Sequence, residues 1–193
     1  MENFIKTKIQ DSINLKTKLL QNNNLLNSVI GLINEILICY KKGGKVLWCG
    51  NGGSAADAQH LSAELTGRFY YDRPPLYSEA LHVNTSYTTA VANDYSYDVI
   101  YGRLVKAMGK KGDILIGLST SGNSANIINA IEEANKLEMI TAAFTGENGG
   151  KIKGLSKYLI NIPSTDTPRI QECHMILGHT ICELVEMKLF PKK

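Results

Sequence analysis

His60 and Glu64 are the first residues in this sequence whose types and spacing could do chemistry. They stand four apart in a run of good helix formers entered at Ser54. Positions i and i+4 share a helix face, so an imidazole and a carboxylate would project together. As a bare surface pair they would contribute only a few tenths of a kcal/mol. Beside a ligand they would be a titratable couple. Gln171 and His179 lie eight residues apart on what reads as the last helix. That spacing is about 12 Å of rise and about 80° of turn. If both touch one ligand, their side chains must lean together or two subunits must contribute. His174 falls on a different face from His179 and is expected to be structural. His82 reads as a satisfied core histidine in a strand, and Asn93-Asp94 as an element end.

Two turns would position these groups. Val46 to Cys49 is a short apolar run bounded by Gly43-Gly44 and Gly50, which reads as a buried strand. The turn Gly50-Asn51-Gly52-Gly53-Ser54 follows it and opens a helix. Strand, glycine turn and helix start together present bare N–H groups to an anionic or hydroxyl-rich ligand. The second turn, Ser119-Thr120-Ser121-Gly122-Asn123-Ser124, follows the apolar strand Ile114 to Leu118 and precedes another helix. Hydroxyls at a helix N-terminus can seat a phosphate without lysine or arginine. The plainer reading makes them turn and cap residues. Gly50-x-Gly52-x-x-Ala55 also satisfies the loose dinucleotide pattern. The span that should end a second strand in an acid about 20 residues on is instead the loop Tyr70-Tyr71-Asp72, so nicotinamide binding is not expected.

The remaining chain alternates. Helical periodicity covers residues 2 to 22, and Asn22-Asn23-Asn24 breaks it. A more apolar helix runs from Leu25 to Tyr40 and stops at Gly43-Gly44. Residues 1–42 thus form a helical segment with little of this chain to pack on, expected to be an oligomerisation segment. Further strands are expected at Ala80 to Val83, Ile140 to Phe144 and Tyr158 to Ile162. Helices are expected at Thr85 to Val91, Val99 to Met108, Ala125 to Lys136 and Pro168 to Leu189. Such alternation predicts one α/β domain over residues 1–193: a doubly wound, three-layer parallel sheet of five strands with extra N-terminal helices.

Bulk properties narrow the partners. Net charge is +3 and charged residues are 20% of the chain, with only Lys110-Lys111 and Lys192-Lys193 as basic clusters. Nucleic acid is not expected on that balance. No apolar run approaches the roughly 18 residues of a membrane helix, and the first residues lack a secretory pattern. A cytoplasmic protein is expected. Cys39, Cys49, Cys173 and Cys182 show no C-x-x-C spacing and read as buried reduced thiols.

The run Cys49-Gly-Asn-Gly-Gly-Ser54, then Asp57, His60 and Glu64-Leu-Thr-Gly-Arg68, resembles the phosphoheptose isomerases of the sugar-isomerase (SIS) fold, which is flavodoxin-like. Ala92-Asn93-Asp94, Ser119 to Ser124, Thr145-Gly146, Gly149-Gly150 and Arg169-Ile-Gln-Glu172 with His174 and His179 continue the likeness in order. The resemblance implies conversion of sedoheptulose 7-phosphate to D-glycero-D-manno-heptose 7-phosphate, feeding lipopolysaccharide or capsule. It implies a homotetramer with active sites at subunit interfaces. By resemblance, Glu64 is the base and His179 its acid-base partner. Ser119, Thr120, Ser121 and Ser124 resemble the phosphate seat. Asn51, Gly52, Gly53, Asn93, Asp94 and Gln171 resemble sugar contacts. His60, Glu64, Gln171 and His179 match the zinc ligands of members that carry Zn2+. The chain departs from some members in placing Pro168 where they have an acid directly before Arg169, with Asp166 two residues earlier.

The competing reading is not enzymatic. Relatives of the same fold act as tetrameric binding proteins for a replication initiator, and typically lack the counterparts of Glu64 and His179. Both are present here, which favours the isomerase. A sugar-phosphate-sensing regulatory domain would bring a basic helix-turn-helix, and the first 44 residues show none.

Overall fold

The computed structural model of the chain describes residues 1–192. Its centre is a fully parallel sheet of β1 (Val46–Gly50), β2 (Ser78–Ala80), β3 (Ile114–Leu118), β4 (Ile140–Thr145) and β5 (Tyr158–Asn161), in the order β2-β1-β3-β4-β5. Near-continuous apolar runs make such strands, because helices cover both faces. Side-chain alternation then divides the core. Val46, Trp48, Ile114, Ile116, Ala142, Phe144 and Ile160 face one way, and Leu47, Cys49, Leu115 and Ala143 face the other.

Helices α1 (Glu2–Leu20), α2 (Asn23–Lys41), α3 (Gly53–Thr66) and α7 (Thr167–Leu189) supply the first layer. Helices α4 (Thr85–Asp94), α5 (Ile100–Met108) and α6 (Ala125–Lys136) supply the second. Short 3-10 turns at Tyr97–Val99 and Gly150–Ile152 complete the connections. The expected α/β architecture with five parallel strands and two added N-terminal helices is what the structure has.

Three local expectations need correction. The second strand is Ser78–Ala80 rather than Ala80 to Val83, because Ser78 to Ala80 pair with Val46 to Trp48 and the chain turns away after Ala80. His82 therefore lies in a turn, half-buried, with Nε2 3.3 Å from Gln59 Oε1, and is not a core histidine. The first two helices also differ from each other. Helix α2 buries Leu25, Val29, Leu32, Ile33, Ile36 and Cys39 within its own chain. Helix α1 buries only Leu15 and Leu19, leaving Phe4, Ile5, Ile9, Ile13 and Leu20 exposed.

All four cysteines are buried and free. Burial pushes the Cys39 thiol up to about 11, so it stays protonated at neutral pH. Among the described residues no helix is long and apolar enough to cross a membrane.

Candidate active site

The strand order reverses between β1 and β3, and such a switch point opens a crevice beyond the strand C-termini. The two strands run in register from Val46 opposite Ile114 to Gly50 opposite Leu118. Asn51 and Ser119 therefore leave the sheet side by side. Gly52 caps α3 at φ +54°, a left-handed conformation that glycine adopts without cost. At Gly53 a Cβ would sit 2.6 Å from Gln171 Nε2, so the bare backbone lets the first turn of α7 close over the first loop.

In the second turn, Ser119 and Ser124 hydroxyls lie 2.9 Å apart, and Ser121 Oγ accepts from the Asn123 N–H at 3.1 Å. Ser124 is the N-cap of α6 but makes no side-chain cap bond, leaving its hydroxyl to Ser119. Gly122, at φ +66°, lies so close to Gly149 that a Cβ would collide with the Gly149 carbonyl. Thr120 and Ser121 open onto a pocket shared with Gly146, Ser164 and Thr167 at the start of α7. The cluster is a set of hydroxyls at a helix N-terminus, next to the first glycine turn.

Asn51 is more constrained than its sequence context suggests. Its Nδ2 donates to Asn126 Oδ1 at 2.9 Å, Asn126 Nδ2 returns the bond at 2.9 Å, and Tyr97 Oη donates to Asn51 Oδ1 at 3.1 Å. Asn51 thus ties the first loop to the start of α6 and to the turn at Tyr97. Asn126 and Tyr97 escaped the sequence reading, since an asparagine inside α6 and a tyrosine before α5 carry no distinguishing pattern. Asn93 and Asp94 end α4, exposed, with Asn93 Nδ2 donating to Asp94 Oδ1 at 2.9 Å.

Farther along α3, three groups converge from two helices. His60 Nε2 lies 3.2 Å from Glu64 Oε1 and 2.9 Å from His179 Nε2. The i,i+4 pairing on α3 is thus real, and α7 adds the second imidazole. The Phe69 ring packs 5.9 Å from the His179 ring. One ligand atom from each of His60, Glu64 and His179 lies within 4.8 Å of the others. Tetrahedral zinc holds nitrogen and oxygen donors roughly 3.3 Å apart, given bond lengths near 2.0–2.1 Å. The chemistry and spacing of this trio fit a zinc ion. Gln171 lines the same open cleft as His179, with Asp57, Lys16 and Pro168. Its amide also lies against Gly53, at the start of α3.

Asp57 is an addition to the site. Its Oδ2 is shielded from solvent without a hydrogen-bond partner, and burial raises its pKa against the opposing pull of His60. Pro168 lines the cleft, and Asp166 caps α7 without a side-chain bond. His174 is elsewhere: fully buried, with Nε2 3.1 Å from the Thr145 carbonyl.

Known proteins resemble this chain along its length. The SIS domain profile covers residues 11–146. The chain is 46% identical over 193 residues to a phosphoheptose isomerase of Clostridium acetobutylicum, covering 100% of this chain and 98% of that one. The structure of a phosphoheptose isomerase from Neisseria gonorrhoeae superposes with TM-score 0.89 at 40% identity, covering 96% of this chain and 98% of that one. That of a phosphoheptose isomerase from Francisella tularensis gives 0.91 at 35% identity, covering 96% and 97%. The chain belongs to the SIS-domain family and, within it, to the phosphoheptose isomerases.

Proposed function

We propose that the protein interconverts sedoheptulose 7-phosphate and D-glycero-D-manno-heptose 7-phosphate through an enediolate, supplying heptose for lipopolysaccharide or capsule. The observation that carries the reading is the convergence of Glu64 and His179 across α3 and α7, in a chain that keeps full-length likeness to phosphoheptose isomerases. Moving a carbonyl between neighbouring carbons requires a base, a proton donor and stabilisation of oxyanion charge. Glu64 takes the proton from C1 of the ketose. His179 gives a proton to the C2 carbonyl oxygen and, once the enediolate has formed, takes the proton of the C1 hydroxyl. Glu64 then gives a proton, exchanged with solvent, to C2, which completes the aldose.

Ser119, Thr120, Ser121 and Ser124 hold the phosphate with the N-terminus of α6. Gly52 and Gly53 offer backbone N–H groups, and Asn93, Asp94 and Gln171 meet the sugar hydroxyls. Asn51 acts mainly by fixing the first loop against the start of α6. His60, Glu64 and His179 would hold zinc, with Gln171 completing the set. Zinc there supplies Lewis-acid stabilisation of oxyanion charge when bound.

We infer a homotetramer with sites at subunit interfaces, working in the cytoplasm; the exposed apolar stripe of α1 and the open cleft around His179 support a contact between subunits. The test is NMR of the purified protein with sedoheptulose 7-phosphate, with and without added zinc. An aldose heptose 7-phosphate is expected. A folded protein that forms none under either condition would overturn the reading and turn attention to a protein partner.

A further inference from the structure

Beyond the reacting groups, a buried ion pair ties the loop that follows α3 to α7. Arg73 and Glu186 side chains are each 1% exposed, with Arg73 Nε donating to Glu186 Oε2 at 3.0 Å. Arg73 spends the rest of its fork on backbone. Nη2 donates to the Glu64 carbonyl at 2.8 Å, and Nη1 to the carbonyls of Leu65 at 2.7 Å and Gly67 at 3.1 Å. These are carbonyls that the end of α3 leaves without helical partners. A guanidinium also suits the negative end of a helix dipole. Glu186 in turn accepts the N–H groups of Phe69 and Tyr70, both at 2.8 Å. Burial alone would raise its pKa, but these donors and Arg73 outweigh it and hold the carboxyl below its ordinary range.

The placement relates this pair to the site. Glu186 lies seven residues after His179 on α7, two helical turns along the same face. That face presents His179 to Glu64 and, farther on, Glu186 to the loop leaving α3. Phe69, whose N–H the carboxylate holds, packs its ring on His179. One clamp therefore grips the backbone of Glu64 and a neighbour of His179. Buried charges on this scale are costly to desolvate and are weak devices for stability alone.

We infer that Arg73 and Glu186 are positioning residues for the isomerisation, setting the distance between Glu64 and His179 by tying the end of α3 and the loop at Phe69 to α7. This rests on the proposed roles of Glu64 and His179. A misplacement of about 1 Å can cost on the order of 100-fold in rate.

The test uses the full-length protein and the variant Glu186→Gln, with Arg73→Lys as a second variant that keeps the charge but gives up the fork. Turnover of sedoheptulose 7-phosphate is measured well below each variant's Tm, and zinc affinity by chelator competition. The expected result is a kcat lower by about 10- to 100-fold with KM within about threefold, and zinc bound about tenfold more weakly. A lower Tm with kcat and zinc affinity unchanged would make the clamp purely structural and overturn the inference. A wild-type protein without turnover would instead bring down the proposed function, and the inference with it.

Discussion

At the scale of single residues, Glu64 and His174 carry opposite kinds of claim. Glu64→Gln keeps shape and hydrogen bonding but cannot take a proton. It is expected to lower turnover by about 10³-fold, with circular dichroism and Tm little changed. Steady-state rates with sedoheptulose 7-phosphate check this. His174 instead reports on stability. Desolvation, only partly offset by its bond to the Thr145 carbonyl, lowers its pKa to about 4. The Phe144 ring packs against it edge-on at 5.5 Å. The unfolded chain binds a proton here that the folded chain refuses. Its contribution is therefore complete above about pH 6.5 and is lost as pH falls from there toward 4, by roughly 2 kcal/mol at pH 5. Melting curves of wild type and His174→Gln between pH 7.5 and 5 should converge as the pH drops. Parallel curves would show that His174 titrates normally.

At the scale of elements, the site depends on how closely α3 and α7 approach. A Cβ on Gly178 would collide with the Leu61 side chain, so a glycine beside His179 permits the contact. Gly178→Ala is expected to cost about 1–3 kcal/mol of stability by overpacking and to lower kcat more than it raises KM. Thermal melts and kinetics on that variant measure both. Ser119→Ala should raise KM with a smaller effect on kcat, since the hydroxyl belongs to the phosphate seat. The sequence made both loops and the i,i+4 pair legible because each is local: a strand, a turn and a helix start, or two residues on one face. It misplaced β2, because a three-residue strand is set by its pairing with β1 rather than by its own pattern. Arg73, Glu186, Asn126 and Tyr97 were silent for a related reason. Their partners lie 113, 75 and 46 residues away in the chain, and only the fold brings them together. Gln171 and His179, a long reach apart on one helix, line the same open cleft.

At the scale of the molecule, α1 is the element that this chain leaves unfinished. Ile5, Ile9 and Ile13 are 58%, 56% and 50% exposed and, four residues apart, form a continuous apolar stripe on one helix. Stripes of this kind mark interaction surfaces. Under the homotetramer proposed above, Ile9→Asp with Ile13→Asp should release smaller species in sedimentation velocity, with the sheet core intact. An unchanged mass would place the interface elsewhere. The central claim, proton transfer through Glu64, is tested most directly by running the reaction in D2O and following C2 of the product by NMR. Wild type should form an aldose carrying deuterium at C2, and Glu64→Gln should form none. An aldose made by Glu64→Gln at near the wild-type rate, or one bearing only the substrate's hydrogen at C2 from a hydride shift, would contradict the account.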